Sequence, residues 1–343
     1  MPDLPQQFKA WESPQINSGE EVARQYDRGF AGALYSPEAR ERFLDGVAIH
    51  SGDEVCRMFG YEDSAAGKLV IPFVECMKAY PGCLPGGYQF EGDCVSWSQR
   101  NANLLTLVCE AVSGVPDEVS GKVEGLPEVS EDAIRNGVLS TEAIYAYRTT
   151  KPGHGWYCHE AARVSQTKAG CVLRKQYDGI DLTRYSESTV NWWNRRQVAS
   201  GLQEAWDDNV IREATEVRSF EALRDLLARG FGASSCGSEG FACRRDQNGV
   251  DSRRGSWAHA MAYIGVDDRP WAHQTYGGPL VLVQNSWPAS QYSGPRKIHG
   301  TEVEIPHSAF WARWRDVSRR GVIVMAGANG WVRKQLPDYN PGW

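Results

Sequence analysis

The sequence predicts an α+β protein whose helices gather in the first two thirds of the chain and whose strands gather in the last third. Three stretches carry that reading. From Cys94 the apolar residues Val95, Leu104, Leu105, Val108 and Val112 recur at roughly helical spacing, until Gly114 and Pro116 stop the pattern. Asp93 stands where an N-cap belongs. Ser256–Gly265 is a small-residue-rich strand whose two-residue period puts His259, Met261 and Tyr263 on one face. Gly278–Pro288 holds the apolar run Leu280–Val283 and is a second strand, with Asn285 at its far end.

The remaining elements follow from caps, stops and texture. Ser18–Tyr26 and Ser36–Leu44 each open on a capping residue followed by helix formers. Pro85–Asp93 is turn-rich. Residues 115–131 are poor in apolar side chains and rich in Glu, Gly, Ser and Pro, as in a surface loop. Asp132–Arg135 and Thr141–Arg148 are short helical pieces. Thr189–Val217 has helical texture, with Trp192, Trp193, Leu202, Ala205 and Trp206 as buried-face candidates. Ser219–Gly230 has a cap, an apolar stripe (Phe220, Leu223, Leu226, Leu227) and a glycine stop, and so predicts a helix. Gly232–Gly255 is rich in Gly, Cys and Arg, and is either one rim of a cleft, with Arg244, Arg245, Arg253 and Arg254 facing acidic groups, or a solvated loop. Pro306–Trp314 has the texture of a short helix, and Gly321–Ala326 that of a buried strand.

Composition narrows the functional classes. The chain has 343 residues, 41% of them hydrophobic and 23% charged, which suits a globular protein with a sizeable core. The net charge of −6, with basic residues dispersed, offers no footprint for nucleic acid or an anionic membrane. Met1–Gln7 lacks the basic and apolar regions of a secretory signal, and no run of apolar residues is long enough to span a bilayer. The expectation is a cytoplasmic or virion-associated protein rather than a secreted one. The 9 cysteines include no C-x-x-C pair, so no metal site and no cofactor is expected. Cys236 and Cys243 are close enough in sequence to bridge a loop in an oxidising environment, while a reducing one leaves them as thiols.

A thiol in the first turn of a helix feels the partial positive charge of unpaired N–H groups, which favours the thiolate. A lone cysteine is more often inert, so Cys94 needs partners. His259 on one strand and Asn285 on the next supply them in chain order. A helix-start cysteine followed by "HAMAYIGVDD" and "LVLVQNSW" resembles the papain-like cysteine peptidases. Gly155–Val164, the break at Gly170 and Cys171–Tyr177 resemble that family's glycine-led helix followed by a strand.

The resemblance implies a papain-like two-lobed fold, with a helical lobe led by the Cys94 helix and a β-rich lobe carrying His259 and Asn285. It divides the chain into an N-terminal extension or propeptide-like layer (1–84), a mainly helical lobe (85–230), a β-rich lobe (231–326) and a C-terminal tail (327–343). It also implies roles. Cys94 is the nucleophile, His259 its proton partner, and Asn285 the group that orients the imidazole. Trp287 shields the His–Asn bond, and Gln89, five residues ahead of Cys94, donates to the oxyanion. The implied substrate is a polypeptide. Two alternatives stay open: acyl transfer or isopeptide chemistry with the same triad, and a binding or structural protein, such as a bacteriophage particle component with protein assembly partners, whose chemistry is weak or lost.

Overall fold

The computed structural model describes residues 32–336 except 90–91, 115–124, 152–153, 187, 191–201 and 203–210. Chain order runs β1 (Ala33–Leu34), α1 (Pro37–Leu44), α2 (Gly52–Met58), β2 (Leu69–Val70), α3 (Phe73–Ala79), α4 (Cys94–Ser113), α5 (Glu131–Arg135), α6 (Thr141–Tyr145), β3 (Trp156–Tyr157) and α7 (Cys158–Val164). It continues through β4 (Gln176–Tyr177), β5 (Ile180–Asp181), β6 (Glu213–Val217), α8 (Phe220–Ala228), β7 (Gly232–Arg245), β8 (Asp251–Asp267), α9 (Pro270–Tyr276), β9 (Leu280–Gln284), β10 (Ala309–Arg313), α10 (Trp314–Val317) and β11 (Gly321–Ala326). Helices first and strands afterwards is the α+β arrangement read from the sequence.

One antiparallel sheet, in the order β10-β9-β8-β7-β11-β6, organises the molecule, with β2 added to the end of β8. Register matters for the site: in the β7–β8 pair Gly237 faces His259 and Cys236 faces Ala260. Across this sheet lies α4, buried from Cys94 to Glu110. A helix buried on all sides must satisfy its polar side chains internally. Ser98 Oγ meets Ser234 Oγ at 2.7 Å, and Thr106 Oγ1 donates to Met325 O at 3.0 Å while accepting from Gly232 N at 2.9 Å. Gly232 is required there, because a Cβ would stand 1.9 Å from Ala102 O. At the other end Glu110 accepts from the backbone of Ala328 and Asn329 and pairs with the buried Arg333.

The capped helices form as expected. Ser36 Oγ accepts from Ala39 N to start α1, and Ser219 Oγ accepts from Ala222 N to start α8. α4 runs from Cys94 to Ser113 and stops at Gly114 in the left-handed region. Ser256–Gly265 lies inside β8, Leu280–Gln284 is β9 and Gly321–Ala326 is β11.

Four expectations are corrected. Gly232–Gly255 is not a solvated loop: it forms all of β7 and the start of β8, a long hairpin interrupted by bulges. Within Thr189–Val217 the described C-terminal part is the strand β6, held by pairing with β11, and Trp192, Trp193, Ala205 and Trp206 lie outside the described residues. Ala309–Arg313 is a strand paired with β9, and helix begins only at Trp314. Of Cys171–Tyr177 only Gln176–Tyr177 is strand, in a two-strand ribbon with β5. The expected helix at Ser18–Tyr26 lies outside the described residues.

Cys236 is bonded to Cys158, not to Cys243, which is a free thiol. The bridge joins the first residue of α7 to β7 across a Cα–Cα distance of 6.4 Å. Cys243 stands seven residues along the extended β7 and so points far from its sequence neighbour, whereas the packing of α7 brings Cys158 alongside.

Candidate active site

The site forms where the start of α4 meets the middle of β8. Cys94 is fully buried, packed with Tyr145, Trp156, Cys158 and Ala260. The sulfur accepts hydrogen bonds from the backbone of Ala260, the residue after His259, and of Val95. Asp93 does occupy the N-cap position, but its side chain makes no capping bond. Its Oδ2 instead accepts from Trp97 Nε1 at 3.2 Å and Tyr185 Oη at 2.9 Å, which fixes the entry to the helix from the side.

His259 sits between two alanines on β8, so its ring meets little crowding from its own strand. Its Nε2 lies 2.7 Å from Asn285 Oδ1. The same Oδ1 accepts from Ser286 N at 2.7 Å. That backbone donor identifies the oxygen end of the carboxamide, so His259 Nε2 must be the protonated nitrogen and Nδ1 the basic one. Trp287 covers this bond, its ring centroid 4.9 Å from the imidazole, and Trp257 packs on Trp287 at 4.5 Å. Water is thereby kept from the bond, which strengthens it.

Gln89 is tied to the same strand end. Its backbone N–H donates to Ser286 O at 2.9 Å, and its Oε1 accepts from Ser286 Oγ. With the oxygen accepting from Ser286, Nε2 is the donor end of the side chain. Gln89, Asn285 and Trp287 are thus held together through Ser286, and Cys94 is held against β8 one residue beyond His259.

A segment not singled out from the sequence closes the site. Gly32 N donates to Ala258 O at 3.1 Å, Gly32 O accepts from Trp156 N at 3.0 Å, and β1 then pairs parallel with β3. Gly32 passes so close to the thiol that a Cβ there would lie 2.5 Å from Cys94 Sγ. Under this cover burial dominates the electrostatics. It pushes the Cys94 thiol up to about 12, with the hydrogen bond from Ala260 opposing, and it pulls His259 down to about 3, against the hydrogen bond to Asn285. The helix-start lowering expected for Cys94 is overridden: Cys94 is a neutral thiol and His259 a neutral imidazole.

Sequence reasoning also missed Arg320. Its guanidinium, buried beneath β8, donates to the carbonyls of His259 and Glu239 and so holds the backbone that carries the imidazole. Nothing local to Arg320 signals this contact. Trp257, which packs on Trp287, was not singled out either, although the two-residue period places it on the His259 face. His159, close in sequence to the disulfide, is a structural histidine, buried and 2.9 Å from Glu216. Among the described residues no group of three or more His, Cys, Asp or Glu side chains is placed to hold a metal ion, and no helix is long and apolar enough to cross a membrane.

No protein-family model and no curated protein matches the chain. Solved structures similar to it include xylellain, a cysteine protease from Xylella fastidiosa, at 15% identity over 69% of this chain and 80% of that one, with a TM-score of 0.43. The digestive procathepsin L2 proteinase of Tenebrio molitor larval midgut is similar at 12% identity over 90% and 88%, TM-score 0.41. The ragweed pollen allergen Amb a 11, a cysteine protease in its proform, is similar at 12% identity over 91% and 88%, TM-score 0.38. Likenesses this remote leave the reading of the site to its own geometry.

Proposed function

We propose that this chain is a papain-like cysteine peptidase, seen with its nucleophile covered, that hydrolyses peptide bonds through Cys94, His259 and Asn285. The observation that carries the reading is the Asn285 carboxamide, whose oxygen, fixed by Ser286 N, leaves Nδ1 as the basic nitrogen of His259.

Amide hydrolysis needs a nucleophile, a proton for the departing amine and donors for the tetrahedral oxyanion. Once Gly32–Leu34 leaves the cleft, water and the substrate replace the burial that keeps both groups neutral. The Cys94 proton passes to His259 Nδ1, and the thiolate attacks the scissile carbonyl. The negative oxygen is received by backbone N–H at the start of α4 and by Gln89 Nε2. His259 returns its proton to the leaving amine, a thioester remains on Cys94, and water activated by His259 releases the acid. Asn285 holds the ring through both steps, and Trp287 keeps water from the His–Asn bond. Within the propeptide-like layer read for residues 1–84, Gly32–Leu34 is the described stretch that passes the thiol.

The sealed thiol also favours a second reading, a binding or particle protein whose chemistry is lost. A peptide-library digest by the full chain, before and after limited proteolysis, separates the two. The peptidase reading expects cleavage after the treatment, abolished by Cys94→Ala. Amine incorporation in place of cleavage would assign acyl transfer, and silence from a demonstrably uncovered thiol would favour the structural reading.

A further inference from the structure

Asn285 has two ends, and the nitrogen end meets a side chain that the catalytic reading does not use. Asn285 Nδ2 donates to the hydroxyl of Tyr292, seven residues further along the chain. That ring is held from both sides. It stacks on Phe310 of β10, with centroids 5.8 Å apart and planes 21° from parallel, and the Arg245 guanidinium stands 5.1 Å over it. Arg245 is itself anchored, donating to Ala309 O at 2.8 Å and to His307 O. The Cys243 thiol lies close enough to this hydroxyl for each to influence the other electrostatically.

We propose that Tyr292 is a positioning residue of the peptidase, fixing which end of the Asn285 carboxamide faces His259. The assignment rests on the catalytic role proposed for Asn285. A carboxamide has nearly the same shape either way round, so its orientation is decided by the donors and acceptors around it. Ser286 N–H supplies a donor for the oxygen. Tyr292 Oη supplies an acceptor for the nitrogen at the opposite end. The polarity then runs along three side chains: Tyr292 receives from Asn285, and Asn285 from His259. Reversing the amide would set two N–H groups against each other at Ser286 and take the proton acceptor from His259 Nε2. Burial pushes the Tyr292 phenol well above its ordinary range, so the hydroxyl keeps its proton through the working range of a peptidase.

The test uses the full chain with 15N-labelled histidine. Two-bond 1H–15N spectra distinguish the ring nitrogens, and loss of one set in His259→Gln assigns His259. In the wild type a single tautomer protonated at Nε2 is expected. In Tyr292→Phe, which keeps the ring and its stack, His259 is expected as a mixture of tautomers. Turnover of a peptide is expected to fall roughly three- to tenfold with KM unchanged, the scale of one hydrogen bond. A Tyr292→Phe spectrum identical to the wild type, or turnover lost without any tautomer change, overturns the proposal. Should that variant fail to fold, Cys243→Ala, which removes the thiol near the Tyr292 hydroxyl, is expected to loosen that hydroxyl and move His259 in the same direction. No movement there counts equally against it. If the wild type cleaves nothing the catalytic reading falls, while the spectra still decide what Tyr292 does to His259.

Discussion

A cysteine at a helix start is ionised only where its charge can be solvated or paired, and Cys94 has neither while Gly32 covers it. Burial then outweighs the favourable helix terminus, which is why the thiol stands near 12 rather than below its ordinary value. Glycine at position 32 permits the cover. Gly32→Val brings side-chain atoms into the space of Cys94 Sγ, 2.5 Å from where even a Cβ would stand, and is expected to lift the segment off the thiol. Iodoacetamide labelling of Cys94, followed by mass spectrometry, is expected to speed up about tenfold or more, the effect of shifting a local opening equilibrium by little over a kcal/mol. Unchanged labelling would mean the segment does not control access. At this scale Cys94, His259, Asn285 and Gln89 were identifiable as candidates because the chemistry expected of them is tied to local words in the sequence. Gly32, Tyr292 and Arg320 were not, because each acts through a partner far along the chain, or through space that its own neighbours do not reveal.

The elements were legible where their ends are marked. Ser36, Ser130, Ser140 and Ser219 each cap a helix through the side chain, and Gly114 ends α4. The misread elements lack a local signal. β7 begins Gly-Ala-Ser-Ser-Cys-Gly, with no β-branched residue, and becomes a strand because β8 and β11 flank it. β10 is apolar at nearly every position, so its period cannot separate strand from buried helix. Between elements, Glu216 of β6 joins α1 and α7, accepting from Arg40 at 2.6 Å and from His159 at 2.9 Å. Burial pushes this carboxyl up, but those two hydrogen bonds prevail and hold it at about 2. A carboxyl lowered on folding stabilises above its ordinary value, and that contribution fades as pH falls toward the folded value. Urea unfolding is therefore expected to show the wild type more stable than Glu216→Gln by up to about 3 kcal/mol at neutral pH, with the gap closing between about pH 5 and 2. A gap that stays constant over that range would show the pairing to be inert.

For the whole molecule, the Cys158–Cys236 bond ties α7 to the central sheet immediately beside the site, closing a sequence separation of 78 residues. Its pairing could not be read from spacing, since only packing brings the two cysteines together. The sequence expectation of a reducing environment pointed away from any bridge. Replacing both cysteines by serine is expected to lower stability by up to about 4 kcal/mol from the chain entropy returned to the unfolded state. Treating the wild type with dithiothreitol is expected to lower its melting temperature toward that of the variant. Identical melting with and without reductant would show that the bond does not form in solution.

The central claim is that an uncovered Cys94 shares its proton with His259, and the pH dependence of Cys94 alkylation in the Gly32→Val protein tests it most directly. Alkylation is expected to persist into mildly acidic solution, where an ordinary thiol with a pKa of about 8.5 is almost unreactive, and His259→Gln is expected to abolish this acidic reactivity. A rate that simply rises with pH as for an isolated thiol, and is the same with or without His259, would contradict it.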